Sequence, residues 1–218
     1  MAAPGVAGAQ EQQPASVGTG LPATLVGGAD RGHAGYRRRG AAHDRRAVAE
    51  GEVRLFRLLD VSGMFHPIWR VKEGAGKPIG EAASETVQAL REHAARAGAD
   101  FVIACCDAPG RNFRHDIAEE YRALVPDYKG YKGHRPEKDP AMMAALDRVI
   151  DELEQDGVPI MRVPGFEADD VIATITGWAT ANGDSVEVVS EDKDLLALAR
   201  DVDPDNDTAP SVVVIRRD

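Results

Sequence analysis

Short apolar runs alternate with amphipathic segments along the chain from residue 53 to residue 215. The runs are continuous and are bounded by turn or acidic residues, which is typical of strands buried on both faces of a parallel sheet. The predicted strands are Val53–Leu59, Phe101–Cys106, Val158–Val163, Val186–Val189 and Val212–Ile215. Apolar positions at helical spacing predict helices at Ala82–Ala97, Pro140–Glu154, Phe166–Asn182 and Lys193–Ala199, with a further one near Ile117–Leu124. Strands alternating with helices predict an α/β fold, with a central, mainly parallel sheet and helices on both faces in three layers.

Residues 1–52 lack this pattern and are rich in Gly, Ala, Gln and Arg. Such a composition cannot bury a core, so we expect a disordered tail, with a basic nucleic-acid-binding arm or a transit peptide as the alternatives. The folded domain is therefore predicted to span residues 53–218. Within it, residues 61–81 carry no predicted element.

Acidic side chains follow the predicted strands at the points where the strands end. The carboxyl ends of parallel strands meet at one edge of a sheet, and ligands bind there. If residues 166–182 form a helix, Glu167 and Asp170 lie one turn apart on one face, with Asp169 beside them. The acids expected at this edge are Asp60, Asp107, Glu167, Asp169, Asp170, Asp192 and Asp194.

This much negative charge at one edge requires a counter-charge. Two like charges about 4 Å apart repel by roughly 4 kcal/mol at an effective dielectric near 20. Hard divalent cations take oxygen ligands, so a carboxylate cluster is the protein contribution that Mg²⁺ or Mn²⁺ requires. Two such ions can activate a water and stabilise the leaving oxygen of a phosphodiester. The seven acids therefore predict a divalent-metal site, with Mg²⁺ expected and Mn²⁺ as the alternative.

The chain as a whole has a net charge of −10, and the segment from residue 111 to residue 138 differs from this acidic average. It contains seven basic residues against five acidic ones, with Tyr121, Tyr128 and Tyr131 between them. An acidic body with one basic, tyrosine-bearing segment suits a metal site beside a phosphate-binding arm. The basic residues are Arg111, Arg114, Arg122, Lys129, Lys132, Arg135 and Lys138.

Residue spacing argues against other kinds of site. The histidines lack zinc-ligand spacing, no Walker-type phosphate loop occurs, and no serine lies in a G-x-S-x-G setting. No apolar run reaches eighteen residues, so we expect no membrane-spanning helix. The two cysteines, Cys105 and Cys106, are neighbours that cannot staple a fold, which favours a reducing, cytoplasmic setting.

Four stretches of the chain carry a family resemblance. They are residues 58–63 (LLDVSG), residues 113–116 (FRHD) with 131–135 (YKGHR), residues 163–172 (VPGFEADDVI) and residues 189–196 (VSEDKDLL). From Leu58 to about Ile215 the chain resembles the 5′ nuclease family, which comprises the 5′–3′ exonuclease domain of bacterial DNA polymerase I, phage 5′–3′ exonucleases and flap endonucleases. In the last two stretches, the spacing of the acidic residues and the apolar residues that flank them agree with those of the family, in the same order.

The resemblance implies a PIN-like core that hydrolyses DNA phosphodiester bonds near a 5′ end or a 5′ flap by a two-metal mechanism, in a bacterial cell or a phage-infected host. It implies that the seven acids above are metal ligands, with Asp170 also catalytic. It further implies that a lysine and an arginine of the basic segment hold the scissile phosphate. The other residues expected to contact DNA are Arg114, Arg122, Tyr121, Lys129 and Tyr131.

Two positions stay open for the phosphate-binding lysine. Lys132 and Arg135 fit the family's Tyr-Lys-x-x-Arg pattern if about ten residues are inserted after the FRHD stretch. Alternatively, Arg122 takes the place of the lysine, because it lies at the family's usual distance after the FRHD stretch. We favour Lys132 because Gly133 and Arg135 follow it as in the family.

Members of the family continue beyond the last strand into a helical module that grips duplex DNA and supplies ligands for a second metal. The chain stops at Asp218, so we expect two ions with the second under-liganded, and a polymerase or a separate C-terminal module as partner. Members of the family usually have an arginine shortly after the first Asp, which is Asp60 here. This chain lacks an arginine at that position, and Arg70 is the nearest candidate. Two alternatives remain: a truncated, weakly active or dead core that binds nucleic acid or a partner, and a PIN-type ribonuclease.

Overall fold

The computed structural model describes residues 53–125, 127–134, 139–201 and 209–217. Within these ranges the strands are β1 (Leu55–Asp60), β2 (Phe101–Cys105), β3 (Ile160–Met161), β4 (Ser185–Val189) and β5 (Val212–Ile215). The helices are α1 (Val61–Gly74), α2 (Ile79–Ala95), α3 (Phe113–Leu124), α4 (Pro140–Gln155) and α5 (Ala168–Ala181), with a 3₁₀ helix at Asp194–Leu198. The predicted tail, residues 1–52, lies outside the described residues.

The strands form one sheet in the order β3-β2-β1-β4-β5, and every neighbouring pair is parallel. Helices α1, α2 and α4 bury their apolar residues on one face, against Leu59 and Val189. Helix α5 covers the other face, where Leu58 and Val188 pack against Ile172. The predicted α/β fold with a parallel sheet between two helical layers is therefore confirmed.

Arg57 lies in the middle of the central strand and is 1% exposed. Its guanidinium donates to the Glu187 carboxylate at 2.7 Å and to the backbone carbonyls of His93, Arg96 and Ala97 at the end of α2. A buried charge is tolerated when it is paired and hydrogen-bonded, and these carbonyls are the unsatisfied acceptors of a helix end. Arg57 therefore joins α2 to the sheet.

Helix α1 is the element that sequence reasoning left unassigned. Its buried residues Val61, Met64, Phe65 and Ile68 do have helical spacing, and they pack in the core beside α2. The helix contains Gly63 and Pro67, residue types that disfavour an isolated helix and so obscure this spacing. Tertiary packing outweighs that local preference.

Several predicted boundaries were wrong by a few residues. Strand β3 is confined to Ile160–Met161, because only those residues pair with β2. Helix α3 begins at Phe113 rather than near Ile117, since the Asn112 side chain accepts the His115 N–H and caps its first turn. Helix α5 begins at Ala168, after a turn that ends in Phe166.

The strand order determines where a ligand can bind. The chain runs outwards from β1 to β2 and β3, then returns to place β4 on the other side of β1. Such a reversal opens a crevice at the carboxyl ends of the two strands that flank it. Here those strands are β1 and β4, which end at Asp60 and Val189. Among the described residues, no helix is both long and apolar enough to cross a membrane.

Candidate functional site

Asp60 lies at the floor of the β1–β4 crevice and is 2% exposed. Its carboxylate caps α1 by accepting the Gly63 N–H at 2.8 Å, and it accepts the Ser190 hydroxyl at 2.6 Å. Burial raises the pKa of Asp60 to about 7 against the effect of these hydrogen bonds, and the charges of Asp169 and Asp107 raise it further. Asp60 is therefore a carboxylate whose negative charge is poorly supported by its surroundings.

Asp107 joins the end of β2 to the start of α5, where Asp169 lies. Asp107 accepts the Ala168 N–H at 2.9 Å, and the Ser62 hydroxyl lies 3.3 Å from its other oxygen. Burial raises the pKa of Asp169 to about 6, and the charges of Asp192, Asp107 and Glu167 add to the effect. Among the described hydrogen bonds and ion pairs, none involves the Asp169 carboxylate. Asp169 is thus at the centre of a group of mutually repelling acids.

The loop after β4 brings one of its two predicted ligands toward this group. Ser190 accepts the Asp192 N–H at 2.9 Å while it donates to Asp60, so a single hydroxyl fixes both strand ends. The Asp192 side chain accepts the Asp194 N–H at 2.9 Å. Asp194 itself is exposed in the first turn of the 3₁₀ helix, and no contact described for its carboxylate joins it to the other acids.

Glu167 is surrounded by hydrogen-bond donors from the basic segment. Its oxygens accept from Lys132 Nζ at 2.5 Å, from the Tyr131 hydroxyl at 2.8 Å and from Asn112 Nδ2 at 2.8 Å. Burial opposes ionisation of this carboxyl, but the bonds from Lys132 and Tyr131 outweigh it and lower the pKa of Glu167. Glu167 is consequently ionised and already neutralised by a protein cation.

Asp170 is held in the same way by Arg114. The guanidinium donates to both carboxylate oxygens, at 2.5 and 2.6 Å, and the Glu167 N–H adds a bond of 3.0 Å. This bidentate pair lowers the pKa of Asp170 and raises that of Arg114. Both oxygens of Asp170 therefore already have a partner.

Lys132 is set apart from the rest of the basic segment by its backbone and its position. Its φ of 55° is the one positive value among the described non-glycine residues, and such strain is often stored at functional sites. Arg122 instead donates to the backbone carbonyls of Tyr128 and Lys129 and so stabilises its own loop. Of the two candidates for the phosphate-binding lysine position, only Lys132 lies at the acids. The other predicted phosphate ligand, Arg135, lies outside the described residues.

The remaining predicted DNA contacts lie on α3 and the loop after it. Tyr121 is half exposed, and its ring packs edge-on against Tyr128 at 5.1 Å. A cavity between α3 and the loop is lined by Lys129 and Tyr131 among others. Of the members of this predicted set that the structure describes, only Tyr131, Lys132 and Arg114 contact the acids directly.

Three positioning residues were missed by sequence reasoning. Ser62 and Ser190 hold Asp107 and Asp60, and Asn112 both caps α3 and holds Glu167. Ser62 and Ser190 lie within recognised motifs and Asn112 directly precedes one, so position in these motifs is the signal that could have identified them. Their partners are 45, 130 and 55 residues away, and periodicity contains no such information.

The donor set suits a hard divalent cation, because it consists of carboxylate oxygens. A cation between Asp60 and Asp169 would relieve the repulsion that raises both of their pKa values. However, across the described residues no three Asp, Glu, His or Cys side chains converge closely enough to enclose an ion as they stand. Lys132 and Arg114 already pair with Glu167 and Asp170, so they would compete with a cation for the oxygens of those two acids.

Fold and site define an α/β domain with an acidic crevice and an adjacent basic segment. The family model of the 5′-3′ exonuclease N-terminal, resolvase-like domain matches residues 58–209. The chain therefore belongs to this 5′-3′ exonuclease family, as the resemblance predicted.

Two curated relatives are similar to the chain over about half of its length or more. Thermostable DNA polymerase I of Thermus aquaticus is 32% identical over 143 residues, which are 63% of the chain and 15% of the polymerase. The flap endonuclease Xni of Photorhabdus laumondii is 30% identical over 133 residues, 60% of the chain and 48% of that protein. The chain thus spans less than half the length of either relative.

Among solved structures, the T5 5′-exonuclease with bound zinc aligns at a TM-score of 0.45 and 22% identity. The alignment covers 75% of the chain and 55% of that exonuclease.

Proposed function

We propose that the chain is the catalytic core of a divalent-cation-dependent 5′–3′ nuclease, which hydrolyses DNA phosphodiester bonds near a 5′ end or a 5′ flap. The observation that carries the proposal is the group of acids around the crevice at the carboxyl ends of β1 and β4. Two basic side chains, Lys132 and Arg114, already contact acids of this group. Membership of the 5′-3′ exonuclease family supports the reaction class.

The acids divide into two sets according to their present partners. Asp60, Asp107, Asp169 and Asp192 interact with one another and lie away from a direct ion pair, so they are available to hold a cation such as Mg²⁺. Such an ion, when bound, supplies activation of the attacking water and neutralisation of the leaving oxygen. Glu167, Asp170 and Asp194 complete the proposed set for two ions.

The basic segment supplies the phosphate contacts in this proposal. Lys132 contacts Glu167, so the same ammonium is placed to bind a phosphate that arrives at the acids. Arg114 is placed in the same way beside Asp170. Transfer of these cations from carboxylate to phosphate would free acid oxygens as the substrate enters.

DNA is the proposed substrate class because one relative is a DNA polymerase and the other a flap endonuclease. A polymerase active on the same DNA is the proposed partner. The relatives extend well beyond the matched region, so we assign to this chain only the cleavage step.

A cleavage assay with one replaced acid tests the proposal. Asp169→Asn removes the charge of a carboxylate that makes no hydrogen bond or ion pair among the described residues, and it keeps the size of the side chain, so Mg²⁺-dependent cleavage of 5′-flap DNA should fall on the order of 100-fold or more. Asp151→Asn, an exposed acid of α4, serves as the control and should cleave like the unmodified chain. Equal rates for both variants would overturn the proposal, and a matched RNA flap distinguishes a ribonuclease.

A second function, binding without cleavage, is favoured by the two ion pairs that occupy Glu167 and Asp170. A protein of this kind would retain Arg114 and Lys132 on the acids even at millimolar Mg²⁺. It would bind flapped DNA with the same affinity with and without Mg²⁺ and leave it intact. Cleavage by the unmodified chain excludes this alternative.

A further inference from the structure

Two phenylalanine rings form an exposed pair beside the acids. Phe113 is 37% exposed and Phe166 is 44% exposed, and their ring centres lie 5.5 Å apart at an interplanar angle of 45°. Large apolar side chains at the surface of a domain often mark a binding site when they are grouped. Neither ring has a part in the metal chemistry proposed above.

The backbone holds both rings in place. Phe166 follows a turn in which Pro164 and Gly165 are the central residues, closed by the Phe166 N–H to Val163 O bond of 3.1 Å. Gly165 has a φ of 83°, which a turn with proline first and a positive φ second requires. The Phe113 N–H donates to Gly165 O at 3.1 Å and so joins the start of α3 to this turn. The exposed pair is therefore part of a fixed framework.

Each ring is the direct neighbour of a group that acts at the site. Phe166 precedes Glu167, and Phe113 precedes Arg114. The Arg114 guanidinium lies 4.7 Å from the centre of the Phe113 ring while it bonds to Asp170. An apolar, aromatic surface thus adjoins the cations that we propose bind phosphate.

We propose that Phe113 and Phe166 form a stacking platform for an unpaired base of the nucleic-acid strand, next to the phosphate held at the acids. Aromatic rings beside basic side chains are the combination by which proteins bind single strands, because every base has a π face whatever its sequence. The continuity of the rings with Arg114 favours a nucleic-acid strand over a protein partner, whose docking would not require a cation at this edge. The inference rests on the proposed function for its ligand.

The test uses a 5′-flap DNA that carries the fluorescent base 2-aminopurine in the unpaired flap, beside the duplex junction. In EDTA, which prevents cleavage, binding to the unmodified chain should quench the probe through stacking. Phe166→Ala and Phe113→Ala should each reduce that quenching and weaken affinity about 5- to 150-fold, the range for loss of one base–aromatic stack. Phe166→Leu keeps an apolar side chain and should also lose the quenching.

Phe101→Ala is the matched control. Phe101 is 42% exposed and also pairs with a phenylalanine ring, but it starts β2 and so lies at the amino edge of the parallel sheet. It should leave affinity and quenching unchanged. Thermal unfolding followed by circular dichroism checks that each variant is folded.

The outcomes separate this inference from the proposed function. If the unmodified chain cleaves the flap with Mg²⁺ while the Phe113 and Phe166 variants quench and bind as it does, the platform alone is refuted. If the unmodified chain binds no flapped DNA, both the platform and the nuclease are refuted. Loss of quenching in the variants with normal behaviour of Phe101→Ala supports the platform, including in a chain that binds without cleavage.

Discussion

Replacement of Asp60 by asparagine should stabilise the metal-free domain at alkaline pH. The pKa of Asp60 rises from 3.8 to about 7 on folding, chiefly because the carboxyl is buried. A difference of about 3 units corresponds to about 4 kcal/mol by which the folded state disfavours the ionised group. Because the folded state binds the proton more tightly, the free energy of unfolding falls as pH rises from about 4 through about 7, and is lowest above that range.

Asparagine removes the charge but not the shape of the side chain. Its oxygen can still accept the Gly63 N–H, whereas the Ser190 hydroxyl loses a carboxylate acceptor. That loss costs about 1 to 2 kcal/mol, so a net gain of about 2 kcal/mol is expected at pH 8 in EDTA. At pH 4 the gain should vanish or change sign, because Asp60 is then protonated in the folded state.

Urea unfolding of the two proteins at pH 4 and pH 8, followed by circular dichroism, measures this difference. Asp184→Asn is the control: Asp184 is equally buried but accepts from the Arg54 guanidinium, so its replacement should destabilise the domain at pH 8. Added Mg²⁺ should stabilise the unmodified chain at pH 8 and the Asp60 variant much less. If Asp60→Asn is less stable than the unmodified chain at pH 8 in EDTA, the inference that the buried, ionised Asp60 carboxylate destabilises the folded domain is refuted.

Three further predictions concern the same crevice. Gly63→Ala should abolish stabilisation by Mg²⁺ and lower cleavage, because the added Cβ would lie 2.0 Å from Asp60 Oδ2; unchanged Mg²⁺ titrations would contradict this. Lys132→Met should tighten Mg²⁺ binding, measured by calorimetry without DNA, because the substitution frees Glu167. The same variant should cleave flapped DNA more slowly. A weaker Mg²⁺ affinity would show that Lys132 does not compete with the ion. The Mg²⁺ concentration that gives half-maximal thermal stabilisation should fall as pH rises from 5 to 8. The reason is that Asp169, with its pKa of about 6, must lose a proton to become a ligand. A Mg²⁺ midpoint that does not change with pH would contradict this prediction.

The sequence predicted those features that depend on order and local pattern. Continuous apolar runs identified strands buried on both faces, and the parallel sheet follows from helices between them. Because parallel strands share one carboxyl edge, the positions of Asp60, Asp107 and Asp192 at or after the ends of strands predict that these three acids lie together. The family resemblance added the reaction class, and the family model confirms that membership.

Features that depend on several weak local preferences were predicted less well. Helix α1 contains a glycine and a proline, and only its packing beside α2 compensates for them. The start of α3 depends on the Asn112 cap, which a pattern of apolar residues does not show. Strand β3 is shorter than its apolar run because only Ile160 and Met161 pair with β2, and the apolar pattern does not show where that pairing ends.

The tertiary structure alone decided which acids are free and which are already neutralised. By sequence, Glu167, Asp169 and Asp170 are three carboxylates at the start of one helix, and the pattern does not show which of them are paired with a cation. In the fold, Arg114 takes Asp170 from 56 residues away and Lys132 takes Glu167 from 35 residues away, while Asp169 faces the other acids. The reason is physical: the apolar pattern specifies which faces are buried, but the charge state of a carboxylate depends on which distant side chains the fold brings within hydrogen-bonding distance.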